Sequence, residues 1–387
     1  MTSDTVETTN TGQLDYKAAS VDLQTQDIAV DLTWVDMMKG IAIIGVFFDN
    51  WTHYMVYGTT PAFLYSLGKA FSLAVGPFVQ VFFILSGFGL TLTYLRKSKV
   101  NWDWRRWTWR RVTKIIIPYF IFVLVSFLLG VIGSHLYTSV DVKFSWTSLL
   151  AHLTLTRNFY PLSWEWNPPL WFMPVIVGLY VSFPVLVTIL QRWGIWVLLL
   201  FSVLISYGTL TIAVLVGAPQ SHGADLFTFW VLQFALGMIL AHLRETSPQR
   251  LRYLTGPGAF LLGVGLMVSS WALRTYVPPG KSFNDSLTSV GIFLILLNVV
   301  WASRTIAPAT GAVLKALSGR SYFMYLIHYP IMQFLIGPLL RVPANPIVVI
   351  ALGALYILFI YFVCYLVAPP IESFTSWAYQ NIRWNKT

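Results

Sequence analysis

Three polar side chains recur along one face of the first apolar segment of the sequence. Lys39, Asn50 and His53 follow one another at separations of eleven and three residues. On an α-helix, Lys39 and Asn50 differ by only about 20° in azimuth, and His53 lies about 40° from Lys39. Asp49 precedes His53 by four residues, so its carboxylate is within reach of the imidazole on the same helix.

A carboxylate beside an imidazole fixes the tautomer of the ring and raises its basicity, which suits a general base that removes a proton from a hydroxyl. Charged groups inside a membrane span are costly and mark functional sites. An Asp49–His53 pair wetted by lipid headgroups, with Lys39 extending to the opposite interface, accounts for the same residues without catalysis. On the residues alone, both interpretations stay open.

A further histidine, His328, lies inside a later apolar segment and comes two residues before Pro330. Histidines within membrane spans usually face the interior of a helix bundle or a cavity. The pattern therefore predicts either a functional histidine at a cavity or a structural one that bonds to a neighbouring helix.

The stretch from Trp104 to Lys114 alternates arginine pairs with tryptophans. The guanidinium groups of Arg106, Arg110 and Arg111 can hold the phosphates of a coenzyme A donor from the cytoplasm. A topology signal whose indoles anchor at the lipid headgroups explains most of the same charge. One or two of these arginines would therefore bind the donor in addition to serving as a topology signal.

The elements that position these residues are apolar helices. The residues AVILMFWYC make up 56% of the 387 residues, charged residues make up 10%, and the mean hydropathy is +0.67. This composition predicts an all-α, polytopic transmembrane bundle in the cell membrane, because a soluble domain would carry about a quarter charged residues. About ten spans are expected, at 37–57, 71–94, 114–134, 169–190, 194–216, 226–243, 257–275, 286–303, 321–340 and 346–368. In the second span, Ser86-Gly87 favours close helix packing.

The net charge of +10 belongs to the loops between the apolar segments, which argues against a nucleic-acid partner. The densest basic run, 96–114, predicts a cytoplasmic loop and both termini inside. Cys364 stands alone, so no intrachain disulfide is available, and no metal site is expected. We expect a disordered polar tail over 1–33, a membrane domain over 34–370 and a short cytoplasmic tail over 371–387.

Several motifs together resemble the membrane acyltransferase-3 family, whose members O-acylate cell-surface and secreted glycans. Residues 36–44 resemble the opening motif, in a variant similar to the fucose 4-O-acetylase-like branch. Residues 81–88 and the arginine-rich run that ends at Pro118 resemble the next two motifs. Residues 170–173 and 325–330 resemble the later ones. Each motif is weak alone, but their joint order is fairly specific.

The resemblance implies an acyltransferase that transfers groups other than aminoacyl groups. It would move an acyl group, expected to be acetyl, from acyl-CoA to a hydroxyl of a glycan, an exopolysaccharide or a lipid-linked sugar. No permanently bound cofactor is expected, and the partners are the donor, the acceptor and membrane lipids. His53 would be the base or a transient acyl carrier, with Asp49 orienting it, Lys39 near the donor and His328 near the cavity.

One position departs from the family pattern. The family has a histidine, held to be catalytic, at the position of Asn50, and an asparagine amide has no basic lone pair. Three interpretations follow: His53 takes over, Asp49 is itself the base, or catalysis is lost. In the last case the chain would act as a transporter or flippase for a lipid-linked sugar, or as a subunit of an export machine.

Overall fold

Nearly every residue that the structure describes lies in a helix. The computed structural model describes residues 32–56, 76–97, 102–136, 144–159, 166–216, 226–276, 284–306, 308–336 and 346–381, and these contain no strand. The helices are α1 (Thr33–Val56), α2 (Phe78–Lys97), α3 (Trp104–Leu136), α4 (Trp146–Leu153), α5 (Phe172–Leu215), α6 (Val231–Thr246), α7 (Pro257–Tyr276), α8 (Asp285–Ile306), α9 (Pro308–Ile331) and α10 (Pro346–Asn381). The all-α class is confirmed.

A helix covers most of each predicted span. By length and composition, however, fewer than ten of these helices qualify as membrane spans. Within the described ranges, six helices are long and apolar enough to cross a membrane, or seven if the bent pair Pro248–Leu254 and Pro257–Leu273 forms one span. Helices α1 and α9 are not among the six. Helix α1 carries three charged residues, which lower its hydropathy. The count of about ten and the orientation of the termini stay predictions.

The predicted spans 169–190 and 194–216 both lie in α5, which consists of two helices separated by a kink at Gly194. This residue has φ 83° and ψ −175°, a conformation that favours glycine. Helix α10 continues to Asn381, through much of the segment expected to be a tail. The residues described begin at 32, so most of the expected N-terminal tail, 1–31, lies outside them.

Helix α1 packs closely against α9 and α2 because two of its glycines admit them. A Cβ on Gly40 would overlap the backbone of Leu314 in α9, and one on Gly45 would overlap the Phe78 ring at the start of α2. The two glycines are five residues apart and so face opposite sides of α1. The face of α1 that carries Lys39 and Asn50 therefore lies between its contact with α9 on one side and its contact with α2 on the other.

Helices α2 and α6 meet through a reciprocal pair of glycines. A Cβ on Gly87 would overlap the carbonyl of Phe234, and one on Gly237 would overlap the carbonyl of Ile84. The prediction of close packing at Ser86-Gly87 is thus confirmed. Helix α6 is buried on most sides, and Phe234, Ala235, Met238 and Ala241 have no exposed surface.

Candidate functional site

A cluster of positive charge lies at the Lys39 end of α1. The Lys39 ammonium lies 3.8 Å from the Asp36 carboxylate, and that carboxylate accepts a hydrogen bond of 3.2 Å from Ser318 at the middle of α9. Arg111 and Lys114 of α3 come near enough to act electrostatically on Lys39. With Lys39 paired to Asp36, the charges of Arg111 and Lys114 leave an excess of positive charge that suits a phosphate-bearing ligand.

The three arginines proposed for the donor do not share one location. Arg106 and Arg110 are both exposed, and the Arg106 guanidinium is 3.4 Å from the Tyr379 hydroxyl at the end of α10. Arg111 lies about 140° around the helix from Arg106 and approaches Lys39. Arg111 is therefore within electrostatic range of Lys39, whereas Arg106 lies beside Tyr379. Lys114, which the sequence showed only as part of a basic run, completes the cluster.

At the other end of α1, the side chain of Asn50 is turned back on its own helix. Its amide donates a 2.8 Å hydrogen bond to the carbonyl of Val46. Asp49 and Asn50 are both half-buried. The backbone of His53 belongs to α1, but its side chain lies outside the described residues, so the proposed Asp49–His53 pair stays a prediction.

His328 is fully buried in α9 and stacks on the first helix. Its ring lies 4.6 Å from the ring of Phe47, between centroids, and it has no exposed surface. Nδ1 is 2.8 Å from the carbonyl of Tyr325, which can only accept, so the proton of the neutral ring is on Nδ1. Nε2 then carries a lone pair, and no described group bonds to it.

Helix α10 closes this region from the other side. The Tyr356 hydroxyl donates to the backbone carbonyl of His328, and the Tyr356 ring stacks on Trp51 at 5.3 Å. The Trp51 indole in turn donates to the carbonyl of Val349 at 3.0 Å. His328 is thus fixed against α1 by contacts on both sides, and its place beside a cavity stays a prediction.

The segment between α3 and α5 adds a buried arginine that motif spacing did not reveal. Arg157 has no exposed surface, and its guanidinium donates to the carbonyl of Pro168 at 3.0 Å. The next carbonyl, that of Pro169, accepts from the Tyr325 hydroxyl. Because Tyr325 precedes His328 by one turn, this segment is tied to the histidine helix. The sequence shows Arg157 only as one polar residue in an outer loop.

A second buried histidine, His152, resembles His328 in its local bonding. Its Nδ1 donates to the carbonyl of Ser148 at 2.8 Å, and its Nε2 has no described partner. Its ring packs against the tilted ring of Trp166, with 4.2 Å between the centroids, rather than against α1. Burial, and after it the charge of Arg157, lower the pKa of His152 to about 3. Its ring is therefore neutral and a weak base.

No metal chemistry is indicated in the described ranges. There, no group of three or more His, Cys, Asp and Glu side chains converges on one point. Cys364 is buried and unpaired with another cysteine.

Comparison with known proteins identifies the family of this chain. The family model described as an acyltransferase domain matches residues 32–383. The chain is also 24% identical to acyltransferase MdmB of Streptomyces mycarofaciens over 278 residues, which cover 66% of this chain and 68% of that protein. No solved structure matches the chain. With a match over nearly its whole length and a bundle of membrane-spanning helices, this chain belongs to the membrane acyltransferase-3 family.

Proposed function

We propose that this protein is an O-acyltransferase of the cell membrane that moves an acyl group, acetyl in the simplest case, from acyl-CoA to a hydroxyl. The acceptor is a cell-surface glycan, an exopolysaccharide or a lipid-linked sugar. The family supports acyl transfer in general, and the acceptor class follows from the resemblance of the motifs. The acetyl-CoA donor and the carbohydrate acceptor are therefore proposals that go beyond the family match.

The observation that carries the proposal is the state of His328. A buried imidazole with its proton held on Nδ1 presents a lone pair at Nε2, which is what a general base requires. Its ring contacts Phe47, which is three residues before Asn50 on α1. The interior thus holds a base against the helix whose expected catalytic histidine is replaced by asparagine.

The reaction follows from these positions. The base accepts the proton of the acceptor hydroxyl while the hydroxyl oxygen forms a bond to the thioester carbonyl carbon. The carbon–sulfur bond then breaks, and coenzyme A leaves as a thiolate that takes up a proton. Lys39 and Arg111 at the cytoplasmic end of α1 suit the donor phosphates, because charge-assisted hydrogen bonds to phosphate are strong. The base in this scheme is His328, and His53 oriented by Asp49 is the second candidate.

A direct assay with purified protein in lipid nanodiscs tests the function. Labelled acetyl-CoA is supplied with a panel of glycans and alkyl glycosides, and both coenzyme A release and label transfer are measured. Transfer supports the enzyme. Movement of a lipid-linked sugar across the bilayer without any acyl transfer would support the transporter interpretation that Asn50 raised.

Three substitutions on α1 test the candidate bases. If His53 is the base, His53→Ala lowers transfer about 10²–10⁴-fold and Asp49→Asn lowers it less, because the imidazole remains. Asn50→His restores the residue that the family carries and rescues His53→Ala. If His53→Ala retains full turnover, the base is His328 or Asp49, and the effect of Asp49→Asn distinguishes these two.

A further inference from the structure

The last turn of α6 carries an arginine that is buried but only partly bonded. Arg244 is 3% exposed and lies two residues before the end of α6 at Thr246. Its Nη1 is 3.4 Å from a carboxylate oxygen of Glu245, whereas no described group accepts a hydrogen bond from its Nε or Nη2. Buried charges in proteins are normally paired and fully hydrogen-bonded. The described residues therefore compensate the charge of Arg244 only in part.

The two nitrogens without an acceptor form one edge of the guanidinium group. On that edge, Nε and Nη2 present two parallel N–H groups, which is the fork that binds two oxygens of one phosphate or carboxylate. Nη1, which contacts Glu245, is not part of this edge. The free donors of Arg244 are therefore arranged for an oxyanion rather than for a single carbonyl oxygen.

The charges around Arg244 favour an anion. Arg96 at the end of α2 lies 3.3 Å from the same Glu245 carboxylate, so two arginines share one acid. This leaves one positive charge in excess. Glu245 therefore cannot fully neutralise both guanidinium groups, and an added anion would gain from the remainder.

These groups lie at the end of a membrane span, where headgroups are expected. Helix α6 belongs to the candidate span Phe227–Thr246, and Arg244 occupies its last turn. The 3₁₀ segment Pro248–Leu254 follows and is bent by 60° from the helix after it. Its exposed side chains include two basic residues and a tyrosine, Arg250, Arg252 and Tyr253. Basic and aromatic side chains beside the end of a span are typical of the headgroup region.

The site is on a different side of α1 from the basic cluster of Lys39. Leu240, one turn before Arg244 and about 40° around α6, lines a recess together with Leu251 and Trp34. Lys39 follows Trp34 by five residues and so lies about 140° around α1 from it. The recess and the face of α6 that carries Arg244 therefore do not open toward the proposed donor site.

The predicted orientation places this site in the cytoplasmic leaflet. Arg96 belongs to the basic run that predicts a cytoplasmic loop, and its ion pair with Glu245 puts the end of α6 on the same side of the membrane. The cytoplasmic leaflet is the one that carries anionic lipids.

We propose that Arg244 binds the phosphate group of an anionic phospholipid, with Nε and Nη2 donating to two phosphate oxygens. Both nitrogens are buried in the structure, so a neighbour must move before the phosphate reaches them. The pair of Arg96 and Glu245 suits that movement, because its side chains are 48% and 33% exposed and exposed ion pairs are weak. Glu245 then competes with the lipid for Arg244. No part of this inference depends on acyl transfer.

The test compares two lipids with the same chains, dioleoyl phosphatidylglycerol and dioleoyl phosphatidylcholine, of which only the first has a net charge. The full-length protein in dodecyl maltoside is titrated with each lipid, and native mass spectrometry gives the concentration at which half of the protein carries the first lipid. We expect this concentration to be lower for phosphatidylglycerol.

Substitutions at the site should shift that concentration in opposite directions. Arg244→Gln should raise it about tenfold for phosphatidylglycerol, the effect of losing one bidentate charge-assisted contact. Arg244→Lys should raise it nearly as much, because an ammonium group keeps the charge but not the fork. Glu245→Gln should lower it, because the competing carboxylate is gone.

Arg252→Gln is the matched control. It removes the same charge from the same end of the protein, but Arg252 is exposed and its Nη2 lies 2.9 Å from the Tyr253 hydroxyl. It should leave the half-occupancy concentration nearly unchanged. The melting temperature of each variant without added lipid measures folding. Inorganic phosphate and coenzyme A are added as soluble competitors, and neither should displace the lipid.

Four results would overturn the proposal. Equal weakening in Arg244→Gln and Arg252→Gln means that the lipid responds only to general surface charge. Equal binding of the two lipids to the native protein excludes a site for anionic lipid. Displacement of the lipid by inorganic phosphate or coenzyme A, lost in Arg244→Gln, means a site for a soluble phosphate. A lower melting temperature with unchanged lipid binding in both Arg244 variants means that this arginine only holds the end of α6 in place.

Discussion

The sharpest prediction concerns His328→Asn, because asparagine removes one property of the imidazole and retains another. Its amide nitrogen occupies nearly the place of Nδ1, so it can still donate to the Tyr325 carbonyl, which His328 reaches at 2.8 Å. What is lost is the lone pair at Nε2, since an amide has no comparable base. A general base contributes about 10²–10⁴-fold to a rate, and we expect kcat to fall by that factor.

The cost to folding should be smaller than the cost to catalysis. The ring of His328 stacks on Phe47 at 4.6 Å, and such a pair contributes about 0.5–1.5 kcal/mol beyond burial. Together with the cavity left by the ring, this lowers the melting temperature of the variant. The Tyr356 bond reaches the backbone carbonyl of His328 and is therefore retained.

His152→Asn is the control, because the two histidines share burial and local bonding. His152 also has no exposed surface, donates Nδ1–H to the preceding turn and leaves Nε2 without a described partner. It differs in packing against Trp166 rather than against α1. Transfer of label from acetyl-CoA to acceptor is measured for both variants in nanodiscs, with melting temperature as the measure of folding.

His328 is not the general base if the two variants lose activity equally. The same conclusion follows if folded His328→Asn keeps more than about a tenth of the native kcat. Equal losses of activity would show that a buried imidazole whose Nε2 has no hydrogen-bond partner has a structural role in this fold. Full activity in His328→Asn would move the base to the end of α1, where His53 lies.

Three other predictions concern the basic cluster, the buried His152 of α4 and the orientation. Arg111→Gln should raise the KM for acetyl-CoA about tenfold, which is the effect of losing one charge-assisted contact. Arg106→Gln should change that KM little. Equal effects of the two substitutions would contradict donor binding by the cluster of Lys39, Arg111 and Lys114. Burial and the charge of Arg157 hold the pKa of His152 at about 3, below its ordinary value of 6.5. The stability contributed by the neutral His152 ring is therefore present above about pH 6.5 and is lost as the pH falls toward 3. The loss amounts to at most about 1.4 kcal/mol per pH unit. Urea unfolding of His152→Asn should show a flatter decline over that window, and a slope like that of the native protein would refute the assignment. A cysteine introduced as Ser98→Cys should resist an impermeant thiol reagent in intact cells, and efficient labelling would reverse the topology.

The sequence alone determined the class of the protein and the layout of α1. Apolar runs with so few charges have a stable fold only as helices in a bilayer, and the described residues are helical at each predicted span. Within one helix, spacing fixes azimuth, so the shared stripe of Lys39 and Asn50 followed from numbering alone. The order of the motifs pointed to the family that the whole chain matches.

Tertiary structure decided which residues meet. Spacing along α3 could not show that Arg111 rather than Arg106 approaches Lys39, because that depends on how α3 is rotated against α1. By contrast, the break between the predicted spans 169–190 and 194–216 was visible in the sequence, and the non-helical Gly194 separates two helices there.

The same limit applies to the polar residues between helices. The Gln80 amide nitrogen lies 3.5 Å from the Asp285 carboxylate although the two residues are 205 apart in the chain, and each alone reads as an isolated polar residue at the end of an apolar segment. His328 was a visible candidate, yet its unbonded Nε2 and its contact with Phe47 exist only because α9 packs on α1. Helical periodicity orients a side chain within its own helix, whereas the choice of its neighbour comes from packing among all the helices.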